Sequence, residues 1–352
     1  MSPYFFIFFS PLLIYFYKNL NNYLFKFLLS IHFIIVILFI GTRFQIGGDW
    51  ETYYNLFHSF QSKSFQQIVE SKKYFMFKLL NYIIYNMNFK IYILNTLTAC
   101  ICVFCLYKYS KKQFDPILLS IVAIPYIIFV VVMGYNRQGI ALCILILSIN
   151  YFDQKKHFKF IILVLTASLF HLTALCFTLF YLLILPFKNK YMNLIIFIPI
   201  LFISLFVFYA FLNTEYFSSK YYFYVADGNY FASTGVYYRL ILNVIPAIIF
   251  LIYYKNFKIS NNLKYLYLIF STLSIVSLFF AIYATTFIDR ILIYFYPIQL
   301  FVYSNYYAYF PIKYSKVFIS IIFLIYAVVL YIYFEYGLYS KLWLPYQSYI
   351  FK

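Results

Sequence analysis

The sequence predicts an all-α, polytopic integral membrane protein, and three features carry that prediction. Hydrophobic residues fill 65% of the 352 positions and charged residues only 10%, a balance foreign to soluble domains. Apolar runs of about twenty residues recur along the chain, each long enough to take a helix across a hydrocarbon core of ~30 Å. The lysines gather in short clusters between those runs, where they set the orientation of a membrane protein. No Gly-, Ser- or Pro-rich linker breaks the pattern. Residues 1–352 therefore read as a single membrane domain of about ten to twelve transmembrane helices, half-length ones included.

In chain order, the first run (3–17) lacks a basic leader and a small-residue cleavage site, so it reads as a retained helix. A second run covers 24–42, and a polar loop follows over 43–73. Segment 74–88 carries Lys78 and Asn81 and suits an interfacial helix better than a full crossing. Further spans are expected over 91–107, 117–133 and 137–152. Asp115 and Pro116 supply an N-cap and a proline at the first helical position for the second of these. Segment 160–187 is apolar but interrupted by His171, and it reads as two half-length helices meeting there. The remaining spans fall at 192–212, 236–254, 265–283, 290–309 and 317–335, with a second long polar loop at 213–238.

The formal charge of +18 would suggest nucleic acid in a soluble chain. Here the positive-inside rule accounts for it, and the sequence holds no nucleic-acid motif. Clusters at Lys18/Lys26, Lys108/Lys111/Lys112, Lys155/Lys156/Lys159, Lys188/Lys190, Lys255/Lys258/Lys264 and Lys313/Lys316 all face the cytoplasm if the N-terminus is outside and 160–187 goes up and back. A single helix across 160–187 would send the last three clusters outside. The hairpin topology puts all four arginines and seven of the nine acids on the outer side, leaving Asp115 and Asp153 within. The five cysteines lie in apolar segments and read as small buried hydrophobes.

The chain has 23 lysines but only four arginines: Arg43, Arg137, Arg239 and Arg290. Heavy use of Lys, Phe, Tyr, Ile and Asn fits an AT-rich genome in which arginine persists where a planar, bidentate fork is needed. The same residues also suit interfacial snorkelling. Arg43 opens RFQIGGDWETYY (43–54), where Gly47 and Gly48 allow a sharp turn and Asp49, Trp50 and Glu51 follow. The two acids could hold a divalent ion, or one could accept a proton from a sugar hydroxyl. Arg137 and Gln138 stand at the start of a span in MGYNRQGIA, where helix N–H groups favour an anion. FIDRILIYF repeats that arrangement with Asp289 as an N-cap and Arg290 entering the helix; the two could equally be a local pair. In YYRLIL, Arg239 could stack on tyrosines. His171 in SLFHLTAL suits a proton acceptor, a phosphate donor or a capping residue at a broken helix. No P-loop, GxGxxG, GxSxG, HExxH or CxxC signature occurs, which argues against ATP-driven transport and the common hydrolases.

Taken together and in order, RFQIGGDWETYY, NRQGIA, LFHLTA and a late DRILIYF resemble the EpsG-like group of Wzy-type polysaccharide polymerases, over roughly residues 1–310. The resemblance implies a multi-pass glycosyltransferase, similar to the GT-C class, in the bacterial inner membrane with its active site facing outward. It implies polymerisation of undecaprenyl-diphosphate-linked oligosaccharides into O-antigen, capsule or exopolysaccharide, without metal or other cofactor. The lipid-linked oligosaccharide would be both donor and acceptor, with membrane lipid and a chain-length regulator protein as further partners. By position, Arg43, Gly48, Asp49, Tyr53, Arg137, Gln138, His171 and Arg290 match the family's pattern. Glu70 matches an acid after the first loop, although Ser71 stands where Pro or Gly commonly follows. On this reading Arg43, Arg137, Arg239 and Arg290 hold the diphosphate. Asp49 is the base and His171 the phosphate or orienting partner, supported by Gly48, Glu51, Tyr53, Glu70, Gln138 and Asp289.

Three other functions fit parts of the pattern. A GT-C transferase using a polyprenyl-monophosphate sugar would hold a metal on Asp49 and Glu51. A lipid-linked oligosaccharide flippase would line both membrane faces with polar residues. An O-acyltransferase would need a cytoplasmic acyl-donor site, where this chain has short lysine-rich loops.

Overall fold

The computed structural model describes residues 1–17, 22–70, 74–184, 233 and 235–351. The expected span 192–212, most of the loop 213–238, and the lysines at 188 and 190 lie outside these. Fifteen α-helices are described. They are α1 (Ser2–Tyr17), α2 (Asn22–Gly41), α3 (Trp50–His58), α4 (Phe65–Glu70), α5 (Phe75–Asn86), α6 (Ile91–Ser110), α7 (Pro116–Ala123) and α8 (Asn136–Asp153). There follow α9 (His157–Phe170), α10 (Cys176–Ile184), α11 (Val236–Tyr253), α12 (Asn261–Phe280), α13 (Thr285–Leu292), α14 (Pro297–Ser304) and α15 (Ser315–Tyr336). Five described helices are long and apolar enough to cross a membrane: 23–41, 91–110, 236–253, 261–280 and 312–336. Each buries half or less of its apolar window, which is what a lipid-facing helix needs, since its backbone is satisfied internally. The protein is an all-α, multi-pass membrane protein.

The expected helix signals hold locally. The Asp115 carboxylate accepts from the N–H groups of Ile117 and Leu118, both at 3.1 Å, with Pro116 at the first helical position. Helix α9 stops at Phe170, and a 3-10 turn over Leu172–Leu175 separates it from α10, so the break falls at His171. Segment 74–88 forms the short helix α5, twelve residues long.

One span is corrected. Residues 290–309 are not a continuous helix. The backbone forms α13, a 3-10 turn over Ile293–Phe295, and then α14 from Pro297. Proline supplies no N–H, so the α-helical ladder loses a bond there and a new helix starts.

The chain divides into two compact units. The first comprises residues 1–150, 162–174 and 310–352. Its centre is α7, the π-helical stretch Ile124–Val132 that continues it, and α8, nearly every residue of which is buried. These segments have no polar stripe, as a helix enclosed on all sides requires. Helices α1 and α15 pack on α7, and α2 runs along α6. Asn150 near the end of α8 donates to the carbonyl of Lys108 near the end of α6, at 3.1 Å. The Lys108 end of α6 and the end of α8 that precedes Lys155 and Lys156 in the chain therefore lie together, and Asn95 and Asn136 join at their opposite ends, at 3.2 Å.

The second unit comprises residues 151–161 and 175–309. Helix α11 packs along α12 and against α13 and α14. Its interior is aromatic, with Tyr267 and Phe301 stacked at 4.2 Å. Asn243 bridges the bend by donating to Leu292 O at 3.2 Å and accepting from Gln299.

Candidate active site

The loop after α2 is held from below. Arg43 is 1% exposed. Its Nη1 donates to Ile40 O at 2.6 Å, and its Nη2 to the Oδ1 atoms of Asn136 at 2.6 Å and Asn95 at 3.4 Å. Burial pulls the guanidinium down to about 10, against the opposing influence of Tyr346, Tyr53 and Tyr4. Arg43 thus joins the end of α2 to the starts of α6 and α8. Its Nη groups serve protein acceptors and its Nε is buried without one, so its contribution to the site is positioning rather than the expected contact with a diphosphate.

The glycines that follow are needed for close approach. Gly47 has φ +116°, and a Cβ there would come within 2.5 Å of Met133 O. A Cβ on Gly134 would meet the Trp343 ring at 2.8 Å. The loop and the residues before α8 therefore lie backbone against backbone, with Asp49 N–H donating to Gly134 O at 3.3 Å. Trp343 fills the space beneath. It is 1% exposed, and its Nε1 donates to Phe129 O at 2.7 Å within the π-helical stretch. The C-terminal segment continues as a clamp on the loop. Gly47 N–H donates to Leu342 O at 3.0 Å, Phe44 N–H to Gln347 O at 2.9 Å, and Tyr349 N–H to Thr42 O at 2.8 Å.

Above this base the site assembles at the start of α8. Asp49 stands at the N-cap of α3, half-buried. One turn on, Tyr53 is 4% exposed, and its hydroxyl accepts from the Arg137 backbone N–H at 3.5 Å. Burial pushes the Tyr53 phenol up; the Arg137 guanidinium pulls it down, and the Asp49 carboxylate adds to the rise. Asp49, Tyr53 and Arg137 thus share one electrostatic neighbourhood. The Arg137 guanidinium lies 5.5 Å from the Tyr53 ring and 4.2 Å from the Tyr74 ring. Tyr74 in turn stacks on His171 at 5.8 Å with the planes 29° apart. His171 Nδ1 lies 2.6 Å from Thr173 Oγ1. An acid, a cation and an imidazole, each from a different segment, meet around two tyrosines where the first-turn N–H groups of α8 favour negative charge.

The other expected residues fall elsewhere. Gly48 is exposed beside Trp343 and Tyr135, and Gln138 is buried in the first turn of α8. Glu51 is exposed on α3, and Glu70 is exposed at the end of α4, accepting from Gln66 at 3.3 Å. In the second unit Arg239 forms a bidentate pair with Asp289, at 2.5 and 2.8 Å. Ser233 completes the set, accepting from Arg239 at 2.7 Å and donating to Asp289 at 3.0 Å. Asp289 is therefore neither an N-cap nor the partner of its neighbour in sequence: Ala284 caps α13, and Asp289 lies within it. Arg290 is exposed in the last turn of α13, not at a helix start.

Sequence reasoning missed Tyr74, Asn95, Asn136 and Trp343. Asn95 carried a readable signal, a polar side chain inside an apolar span. Trp343 carried a weaker one, as one of two tryptophans. Tyr74, among 44 tyrosines, carried none.

Residues 26–348 match the model of the EpsG family. No curated protein and no solved structure matches the chain. The family match runs past α15 into the segment that carries Trp343 and clamps the 43–49 loop.

Proposed function

The chain belongs to the EpsG family of Wzy-like polysaccharide polymerases, and from that premise we propose that it joins undecaprenyl-diphosphate-linked repeat units at the outer face of the bacterial inner membrane. The observation that carries this reading is the cluster at the start of α8, where Arg137 stands among Asp49, Tyr53, Tyr74 and His171. The Lys108 end of α6 and the end of α8 that precedes Lys155 and Lys156 meet at the opposite end of these helices. The positive-inside rule then puts the cluster on the outer side.

The chemistry follows from the residue types. The donor is a glycan chain on its lipid diphosphate, and the acceptor is a sugar hydroxyl of a second lipid-linked unit. The acceptor oxygen bonds to the donor's anomeric carbon. The bond from that carbon to the diphosphate oxygen breaks, and the electron pair leaves with the diphosphate. Asp49 takes the hydroxyl proton. The Arg137 guanidinium neutralises the charge that develops on the departing diphosphate. His171, fixed by Tyr74 and Thr173, hydrogen-bonds the phosphate or orients it. Arg43 holds the start of α8 in place.

The test is reconstitution of the purified chain with a synthetic lipid-linked repeat unit, followed by separation of the products by length. A ladder of multiples of the repeat is expected. Unreacted single units from a protein that binds the donor would reject polymerisation, and transport of the substrate across a vesicle without bond formation would identify a flippase.

A further inference from the structure

A second site lies along α5. Between the 3-10 turn Ser59–Ser62, α4 and α5 is a cleft of about 350 Å³, lined by Phe60, Ser62, Lys63, Gln67, Ile68 and Lys78, a volume within the range of small-ligand pockets. Of its six described lining residues, Lys63 and Lys78 are cationic. Its floor is apolar, since Phe60 and Ile68 are buried. Its walls offer a hydroxyl from Ser62 and an amide from Gln67. Hydroxyl and amide groups suit the hydroxyls of a sugar, and two ammonium groups, each with three donors, suit an anion on that sugar.

The lining is held in place from within the protein. Lys63 donates one proton to Ser59 Oγ at 2.9 Å and lies 5.2 Å from the centre of the Phe60 ring. An ammonium has three donors, so this anchorage leaves Lys63 able to bind an anion. Gln67 Oε1 accepts from Ser64 N–H at 3.1 Å while Gln67 N–H reaches Ser64 Oγ at 3.4 Å. This reciprocal cap turns the side-chain NH₂ of Gln67 into the remaining donor. Helix α5 connects the cleft to the active site. Lys78 N–H donates to Tyr74 O at 3.0 Å, so Lys78 is one turn, about 6 Å along the axis, beyond the tyrosine that stacks on Arg137 and His171.

We infer that this cleft is a subsite for a carboxylate-bearing sugar, a hexuronate or its equivalent, next along the glycan from the residue at the active site. The inference rests on the polymerase reading for the identity of the glycan, and it assigns Lys63 and Lys78 to specificity rather than to catalysis.

The experiment uses the full chain in phosphatidylcholine nanodiscs, titrated calorimetrically with a hexuronate trisaccharide, the matching neutral trisaccharide and undecaprenyl diphosphate. The uronate should bind at least about tenfold more tightly than its neutral counterpart. Lys63→Gln and Lys78→Gln should each weaken it by about ten- to hundredfold, the worth of one charge-assisted hydrogen bond. Both variants should bind the neutral sugar and undecaprenyl diphosphate as the parent does. Equal affinity for the two trisaccharides, or uronate binding unchanged in the double variant, would overturn the proposal. Competition by phosphatidylglycerol in the discs would overturn it too, by reassigning the cleft to lipid headgroups. Undecaprenyl diphosphate binding that is absent, or indifferent to Arg137→Lys, would remove the polymerase reading but leave the cleft's preference for acidic sugars standing.

Discussion

At the scale of single residues, the four arginines stand in four different surroundings. Arg43 is enclosed and gives its donors to Ile40, Asn95 and Asn136. Arg239 is committed to Asp289. Arg137 is half-buried over two aromatic rings, and Arg290 is exposed. Lysine substitution separates two of these surroundings. Arg43→Lys keeps a buried charge but loses part of the hydrogen-bonded fork, which should cost on the order of 1–3 kcal/mol and lower the unfolding midpoint in detergent. Arg137→Lys should leave that midpoint unchanged and lower turnover by about ten- to hundredfold, because an ammonium cannot make the planar bidentate contact. A normal rate for Arg137→Lys would deny it a place at the diphosphate. Asp49→Asn should retain donor binding and abolish transfer, whereas His171→Ala should weaken donor binding as well. Separate binding and turnover assays decide this pair, and near-normal turnover in Asp49→Asn would pass the base to His171. Arginine scarcity made these four residues conspicuous in the sequence, yet nothing in the sequence distinguishes a sealed arginine from an open one. Burial depends on which helices enclose the residue.

At the scale of elements, the site is organised by the contact between the 43–49 loop, the start of α8 and the C-terminal segment. Gly47→Ala forces a side chain onto a backbone at φ +116° and against Met133 O. It should cost on the order of 1–3 kcal/mol, and the loss should appear together in thermal stability and in turnover. Trp343→Phe keeps most of the buried ring but removes the indole donor from Phe129 O, an unmet carbonyl worth about 1–3 kcal/mol. Differential scanning fluorimetry should register that loss, and a variant as stable as the parent would show that the clamp does not depend on this bond. The glycine pair, the Asp115 cap and the interruption at His171 were all legible, because each is a local backbone requirement. Tyr74 was not. It has φ +55°, an uncommon conformation for a bulky residue, and its place between Arg137 and His171 depends on packing across separate segments.

At the scale of the whole molecule, the proposed orientation is tested at the ends of the helices. In a cysteine-free background, cysteines at Lys112 and Asn150 should react only with reagents that reach the cytoplasm, and a cysteine at Glu51 only with reagents added outside. Labelling of Lys112 and Glu51 from the same side would overturn the outward-facing site. The basic clusters supply this expected orientation from composition and spacing alone, since the rule acts on each loop separately.

The sequence by itself determined the class of protein, the five long apolar helices α2, α6, α11, α12 and α15, the break at His171 and the family resemblance. Hydropathy, capping and turn chemistry act over a few neighbouring residues, and a linear reading can follow them. Only the tertiary structure decided which polar residues meet. It brought Asp49, Tyr53, Tyr74, Arg137 and His171 together, turned Arg43 inward as a strut, paired Arg239 with Asp289 across 50 positions, and laid the C-terminal segment beneath a loop some 300 residues earlier. Such meetings are set by the packing of side chains from distant segments, and no local pattern encodes them.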